Sequence, residues 1–200
     1  MEATKSRRGS QPTERIILGI DPGTTVMGFG VVMVQGTTIT LLEADAIRFP
    51  AEDDHTLKLR AIFRHVVHII EKHHPDELAI EAQFFGKNVQ SMLKLGRAQG
   101  VAIAAALHRD LSVVEYAPKR VKQSITGSGN ATKEQVAAML LSILGLKELP
   151  KSTDTTDALA VAVCHYFSLG LVSRPTRQST SRRTSDWGSF IRNNPERVKK

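Results

Sequence analysis

The chain has 200 residues, of which 41% are hydrophobic and 24% charged, and carries a formal net charge of +7. That length suits one domain with some chain to spare, and the composition is that of a globular protein. No apolar run approaches the ~20 residues of a bilayer-spanning helix, which excludes that class. Residues 1–14 are polar, poor in apolar residues, and read as a disordered extension. They show no apolar stretch behind their basic residues, so no secretory signal is expected. Arg15 to Asp21 and Val26 to Gln35 are short apolar runs bounded by turn residues, the pattern of buried strands. Asp21-Pro22-Gly23 forms the tight turn between them. Thr37 to Phe49 is a third, β-branched strand, and tight turns join the three as an antiparallel meander. A helix follows from about Thr56 to His73, with Leu57, Ile62, Val66, Ile69 and Ile70 at helical spacing. Asp53 or Asp54 can cap it, and Pro75 stops it.

Glu77 to Ala82 is a short strand, and a strand reached through a long helix is usually parallel to its neighbour. Gly86 to His108 is an alanine-rich helix, Leu111 to Tyr116 a fifth strand, and Pro118 opens a short helix that ends before Gly127. Thr132 to Leu144 is a helix with Thr132 and Gln135 at capping-box spacing. Lys151 to Leu169 is the last helix, and residues 170–200 are a flexible basic tail. The fold class is therefore α/β, with a five-stranded mixed sheet of three antiparallel and two parallel strands flanked by helices. One domain spans residues 15–169, between the two tails. The single cysteine, Cys164, precludes an intramolecular disulfide and points to a reducing cytoplasm. It sits in an apolar helix and reads as a small buried hydrophobe.

The charge belongs mostly to the tails. Residues 1–15 contribute +2 and residues 171–200 contribute +6, which leaves the body at −1. Within the body, Ala82 to Lys133 holds Lys87, Lys94, Arg97, Arg109, Lys119, Arg120, Lys122 and Lys133 against Asp110 and Glu115. Such a local excess is the footprint of a polyanionic partner, although a solvated basic face gives the same pattern.

The acids carry the chemistry. In open α/β sheets, sites form beyond the carboxyl ends of parallel strands. Asp21 ends the first strand and Glu81 ends the fourth. Taken singly, turn closure accounts for Asp21 and a solvated strand end for Glu81. Asp154 and Asp157 are three apart at the start of a helix that is apolar almost all round, so they share one face. First-turn acids also complement the helix dipole, but four converging carboxylates repel one another unless cations sit among them. Oxygen donors without cysteine or histidine select Mg²⁺ or Mn²⁺. Two such ions can activate a water and stabilise the leaving oxygen of a phosphodiester. The seven histidines, His65, His68, His73 and His74 among them, show no zinc spacing and suit surface or core roles.

The runs GIDPGTTVMGFGVV, AIEAQFFGKN, LKLGRAQGVAIAAA, VEYAPKRVKQSITGSGNATKEQV and TDTTDALAVAVCH, in this order and spacing, resemble the RuvC family of bacterial Holliday-junction resolvases. The resemblance covers about Arg15 to Leu169. It implies a ribonuclease-H-like fold, a homodimer, and Mg²⁺-dependent paired symmetric nicking of four-way DNA junctions in recombination and repair. It also implies the branch-migration complex RuvA–RuvB as a partner. By that resemblance Asp21, Glu81, Asp154 and Asp157 are the metal-binding acids. Lys122 and Lys133 lie near the scissile phosphates, and Phe84, or its neighbour Phe85, stacks on unpaired bases. Lys87, Lys94, Arg97, Lys119 and Arg120 join them as candidate DNA contacts. The turn after Asp21 reads Pro-Gly-Thr-Thr, where many members carry a serine. Two other readings stand beside this one: a non-catalytic nucleic-acid-binding module, and a fragment of an actin-like or sugar-kinase-like ATPase, which shares the Asp-x-Gly-Thr-Thr turn.

Overall fold

A computed structural model describes residues 14–82, 88–150 and 152–170. The elements run β1 (Glu14–Asp21), β2 (Val26–Gln35), β3 (Thr38–Arg48), α1 (His55–His73), β4 (Glu77–Glu81), α2 (Val89–Leu107), β5 (Ser112–Tyr116), α3 (Pro118–Thr126), α4 (Lys133–Leu144) and α5 (Thr153–Ser168). The strands form one sheet in the order β3-β2-β1-β4-β5. β1 pairs antiparallel with β2, and β2 with β3. β1 pairs parallel with β4, and β4 with β5. This is the mixed sheet expected from the sequence. The two tails, Phe84, Phe85 and Lys87 lie outside the described residues.

Local signals set the element ends. The Asp54 side chain accepts from the Leu57 amide and caps α1. His74 closes that helix in the left-handed conformation, one residue before Pro75. Thr132 and Gln135 form a reciprocal capping box at the start of α4. The Asn88 side chain accepts from the Ser91 amide and caps α2, which begins at Val89; Gly86, the expected start, lies outside the described residues.

Side chains alternate across the sheet and divide the core in two. Leu18 and Ile20 of β1, Met27, Phe29 and Val31 of β2, and Leu78 and Ile80 of β4 pack against α1 and α2. Ile17, Val32, Val34 and Ala79 point the other way, toward α3, α4 and α5. α5 is buried on almost every side from Ala158 to Tyr166, with Cys164 inside it. Among the described residues no helix is long and apolar enough to cross a membrane.

A carboxylate cleft at the sheet edge

The alternation that sorts the core also places the acids. In the β1/β4 register Ile17 pairs with Glu77 and Gly19 with Ala79, so Asp21 and Glu81 follow on the same face, side by side. That face is the one α5 covers. α5 can come close because the sheet is notched with glycine beneath it. Gly28 is the β2 partner of Asp21, and Gly30 that of Gly19. A Cβ on Gly28 would lie 2.0 Å from the Asp154 carbonyl oxygen, and one on Gly19 2.3 Å from the Ala158 carbonyl oxygen. A Cβ on Gly30 would lie 2.6 Å from Leu159 Cδ2. These three glycines seat the helix and bring its first turn, with Asp154 and Asp157, over Asp21. They are functional positions that the sequence reading missed. The available signal was glycine inside a strand, which marks close backbone approach.

The electrostatics follow from that seating. Asp21 is pushed from 3.8 up to about 8, first by burial, then by Glu81, Asp157 and Asp154, with Lys133 opposing. Glu81 is pushed from 4.5 up to about 7 by burial and by Asp157, against Lys133 and Lys122. Lys133 Nζ donates to Asp157 Oδ2 at 2.6 Å, and that bond raises the lysine's pKa. Ser152 Oγ donates to Asp154 Oδ2 at 3.1 Å. The Thr155 hydroxyl beside Asp154 is fully buried and has no hydrogen-bond partner among the described residues.

A cleft of about 240 Å³ opens beside these groups, lined by Glu81, Lys122, Lys133 and Asp157 among others. The structure thus brings both candidate lysines to the acids. Among the described residues no three His, Cys, Asp or Glu side chains stand as a ready-made metal cluster. Lys119 and Arg120 are exposed in the first turn of α3, on the cleft side of the sheet. Lys94 and Arg97 lie on exposed positions of α2, across the sheet from the cleft, near His55. The His55 pKa is lowered by burial and by these two cations.

A family model for the crossover junction endodeoxyribonuclease RuvC matches residues 17–165. A crossover junction endodeoxyribonuclease RuvC of Cytophaga hutchinsonii is 54% identical over 194 residues, covering 97% of this chain and 93% of that one. Among solved structures, Thermus thermophilus RuvC is 35% identical with a TM-score of 0.73, over 78% of this chain and 96% of that one. The Thermus thermophilus RuvC in complex with a Holliday junction substrate is 33% identical with a TM-score of 0.72, over the same shares. The fold is therefore the ribonuclease-H-like one that the resemblance implied, and the chain belongs to the RuvC family of crossover junction endodeoxyribonucleases.

Proposed function

We propose that the cleft between β1, β4, α3, α4 and α5 cuts one strand of a four-way DNA junction, and that a second copy of the chain cuts the opposing strand. The observation that carries this reading is the convergence of Asp21 and Glu81, both pushed toward neutrality, with Asp157 and two lysines around one cleft. Buried carboxylates that repel one another fit a divalent cation, and an all-oxygen donor set fits Mg²⁺ or Mn²⁺. Asp21, Glu81, Asp154 and Asp157 would hold it, with two ions per site the expected number. When bound, such ions activate water and stabilise the leaving oxygen of a phosphodiester.

The chain's own residues do the rest. Asp21 and Glu81 fix the cation side of the cleft from two rigid strand ends. Lys122 and Lys133 face them and neutralise charge on the scissile phosphate. Water adds to phosphorus in line, the phosphorus–O3′ bond breaks, and the products are a 5′-phosphate and a 3′-hydroxyl. For Asp157 to join the acids, Lys133 must leave it, and a phosphate oxygen is the natural new partner. Lys133→Ala is therefore expected to lower turnover roughly 100-fold while tightening cation uptake, read by cleavage rates and calorimetry. Lys119 and Arg120 continue the basic track beside the cleft, while Lys94 and Arg97 face DNA from the other side of the sheet.

A two-fold dimer suits a near-symmetric junction. The exposed side of α2 offers it an interface: Val89, Leu93 and Leu107 are 65%, 52% and 58% exposed, and among the described residues nothing stands within 4 Å of a Cβ on Gly96 or Gly100. Leu93→Glu is expected to shift the chain toward monomer in light scattering.

The test of function uses a labelled four-way junction and a linear duplex of the same arms, with Mg²⁺. Paired symmetric nicks on the junction alone, absent in Asp21→Asn and in chelator, are the expected result. Tight junction binding without cleavage under any divalent ion would overturn it in favour of a binding module. ATP turnover would favour the ATPase fragment.

A further inference from the structure

At the far end of α5 from the acids lies a buried polar chain that the cutting chemistry does not use. His165 is 2% exposed and stands eleven residues past Asp154 on the same helix. Its Nε2 is 2.6 Å from Glu77 Oε2, and its Nδ1 is 2.8 Å from the Tyr116 hydroxyl. A carboxylate only accepts, so Nε2 carries the hydrogen and donates. In the neutral ring Nδ1 then accepts from the Tyr116 hydroxyl. The other Glu77 oxygen accepts from Arg15 Nη1 at 3.0 Å. Four side chains from β1, β4, β5 and α5 thus form one connected network. The Tyr116 pKa is raised by burial, in keeping with its enclosed place.

We propose that His165 is a positioning residue for the cleft, holding α5, with Asp154 and Asp157, in register against the unit that carries Glu81 and Lys122. His165 is not alone at that end of the helix, where the neighbouring Tyr166 hydroxyl donates to the Thr37 carbonyl at 2.8 Å. Ala158 and Ala162 lie over Gly19, so the glycine notch sets how close α5 comes to the sheet, while directed contacts at its far end add a constraint along the helix axis. Hydrogen bonds have direction and fix that axis. The anchors are well placed. Glu77 begins the strand that Glu81 ends. Tyr116 pairs with Glu81 in the β4/β5 register, and its carbonyl accepts from the Ala82 amide at 2.9 Å. Two residues later Pro118 opens α3, which carries Lys122. His165 therefore ties the helix of Asp157 to the strand of Glu81 and to the chain leading into Lys122. Between its ends α5 rises about 16 Å over these eleven residues, so a tilt released at His165 displaces the acids at the other end.

This inference rests on the reading of the four acids as cation ligands. The test uses the full chain with Tyr116→Phe, which removes one hydroxyl, and His165→Leu, which removes the ring. Mg²⁺ uptake is followed by calorimetry without DNA, junction affinity in chelator, and cleavage as a function of Mg²⁺. The expected result is roughly tenfold weaker Mg²⁺ uptake in both variants, the cost of disturbing groups that orient metal ligands. The Mg²⁺ needed for half-maximal cleavage rises in parallel, and junction affinity is unchanged. If His165→Leu does not fold, Tyr116→Phe decides alone. Wild-type uptake and Mg²⁺ requirement in Tyr116→Phe, even with a lower melting temperature, would overturn the positioning role and leave the metal reading intact. A wild-type chain with neither Mg²⁺ uptake nor Mg²⁺-dependent cleavage would overturn both readings.

Discussion

Asp21 shows what one buried carboxylate does to the protein around it. Its unfolded pKa is near 3.8 and its native value about 8. Between those values the native state holds a proton that the unfolded chain has released, so stability falls as pH rises across that window. The metal-free protein should lose stability from pH 5 to pH 8, and Asp21→Asn should remove a large part of that slope, with Glu81, pushed up to about 7, carrying the rest below pH 7. At ~1.4 kcal/mol per pKa unit the gain at pH 8 is up to about 5 kcal/mol, visible as a higher melting temperature in chelator. Calorimetry at pH 7 in buffers of different ionisation enthalpy should show proton release as Mg²⁺ binds, because the bound ion favours the ionised carboxylates. Thr155 offers a second residue-scale test. Its buried hydroxyl has no partner among the described residues, so Thr155→Val, which keeps the shape, should raise stability by about 1 kcal/mol in chemical denaturation.

The helix α5 decides whether the acids form a site at all. Its seat is the notch of Gly19, Gly28 and Gly30, and its far anchor is the Glu77–His165–Tyr116 network. Gly28→Ala places a methyl group 2.0 Å from the Asp154 carbonyl, where neither the strand nor the helix backbone can yield cheaply. The expected cost is about 1–3 kcal/mol of stability. The loss of cleavage should be larger than that loss of stability implies, because the whole first turn of α5 moves off Asp21. Cleavage per folded molecule, set against denaturation midpoint, separates the two effects. The β1/β4 pairing is the other decisive element. A slip of one residue would send Asp21 or Glu81 to the α1/α2 face and end the site.

For the whole molecule, charge is divided by region and by face. The body of the chain, residues 16–170, sums to −1, and the positive charge resides in segments 1–15 and 171–200. Junction affinity should fall steeply with salt, as phosphate contacts require, with a log–log slope of roughly −0.9 per contact. Lys119→Ala and Arg120→Ala should each reduce that slope by about 1 without changing the Mg²⁺ requirement.

Read alone, the sequence determined the element order and the mixed sheet, and it put Asp21 and Glu81 at strand ends and Asp154 and Asp157 on one helical turn. Those properties are written in local alternation, turn chemistry and helix spacing, which act over a few residues. The pairing of Asp21 with Glu81 followed from strand ends and parallel connection, and Asp154 with Asp157 from one helical turn. The glycine notch, the Lys133–Asp157 pair and the His165 network were not legible in the same way. Each joins residues distant in the chain, such as Gly28 with Asp154 and Glu77 with His165. Histidine spacing along the chain showed no metal pattern, and it held no sign that His165 would meet a carboxylate 88 positions earlier. Only tertiary packing brings α5 onto the sheet, and it is the depth and register of that packing that carry Asp154 and Asp157 to the sheet edge where Asp21 and Glu81 end their strands.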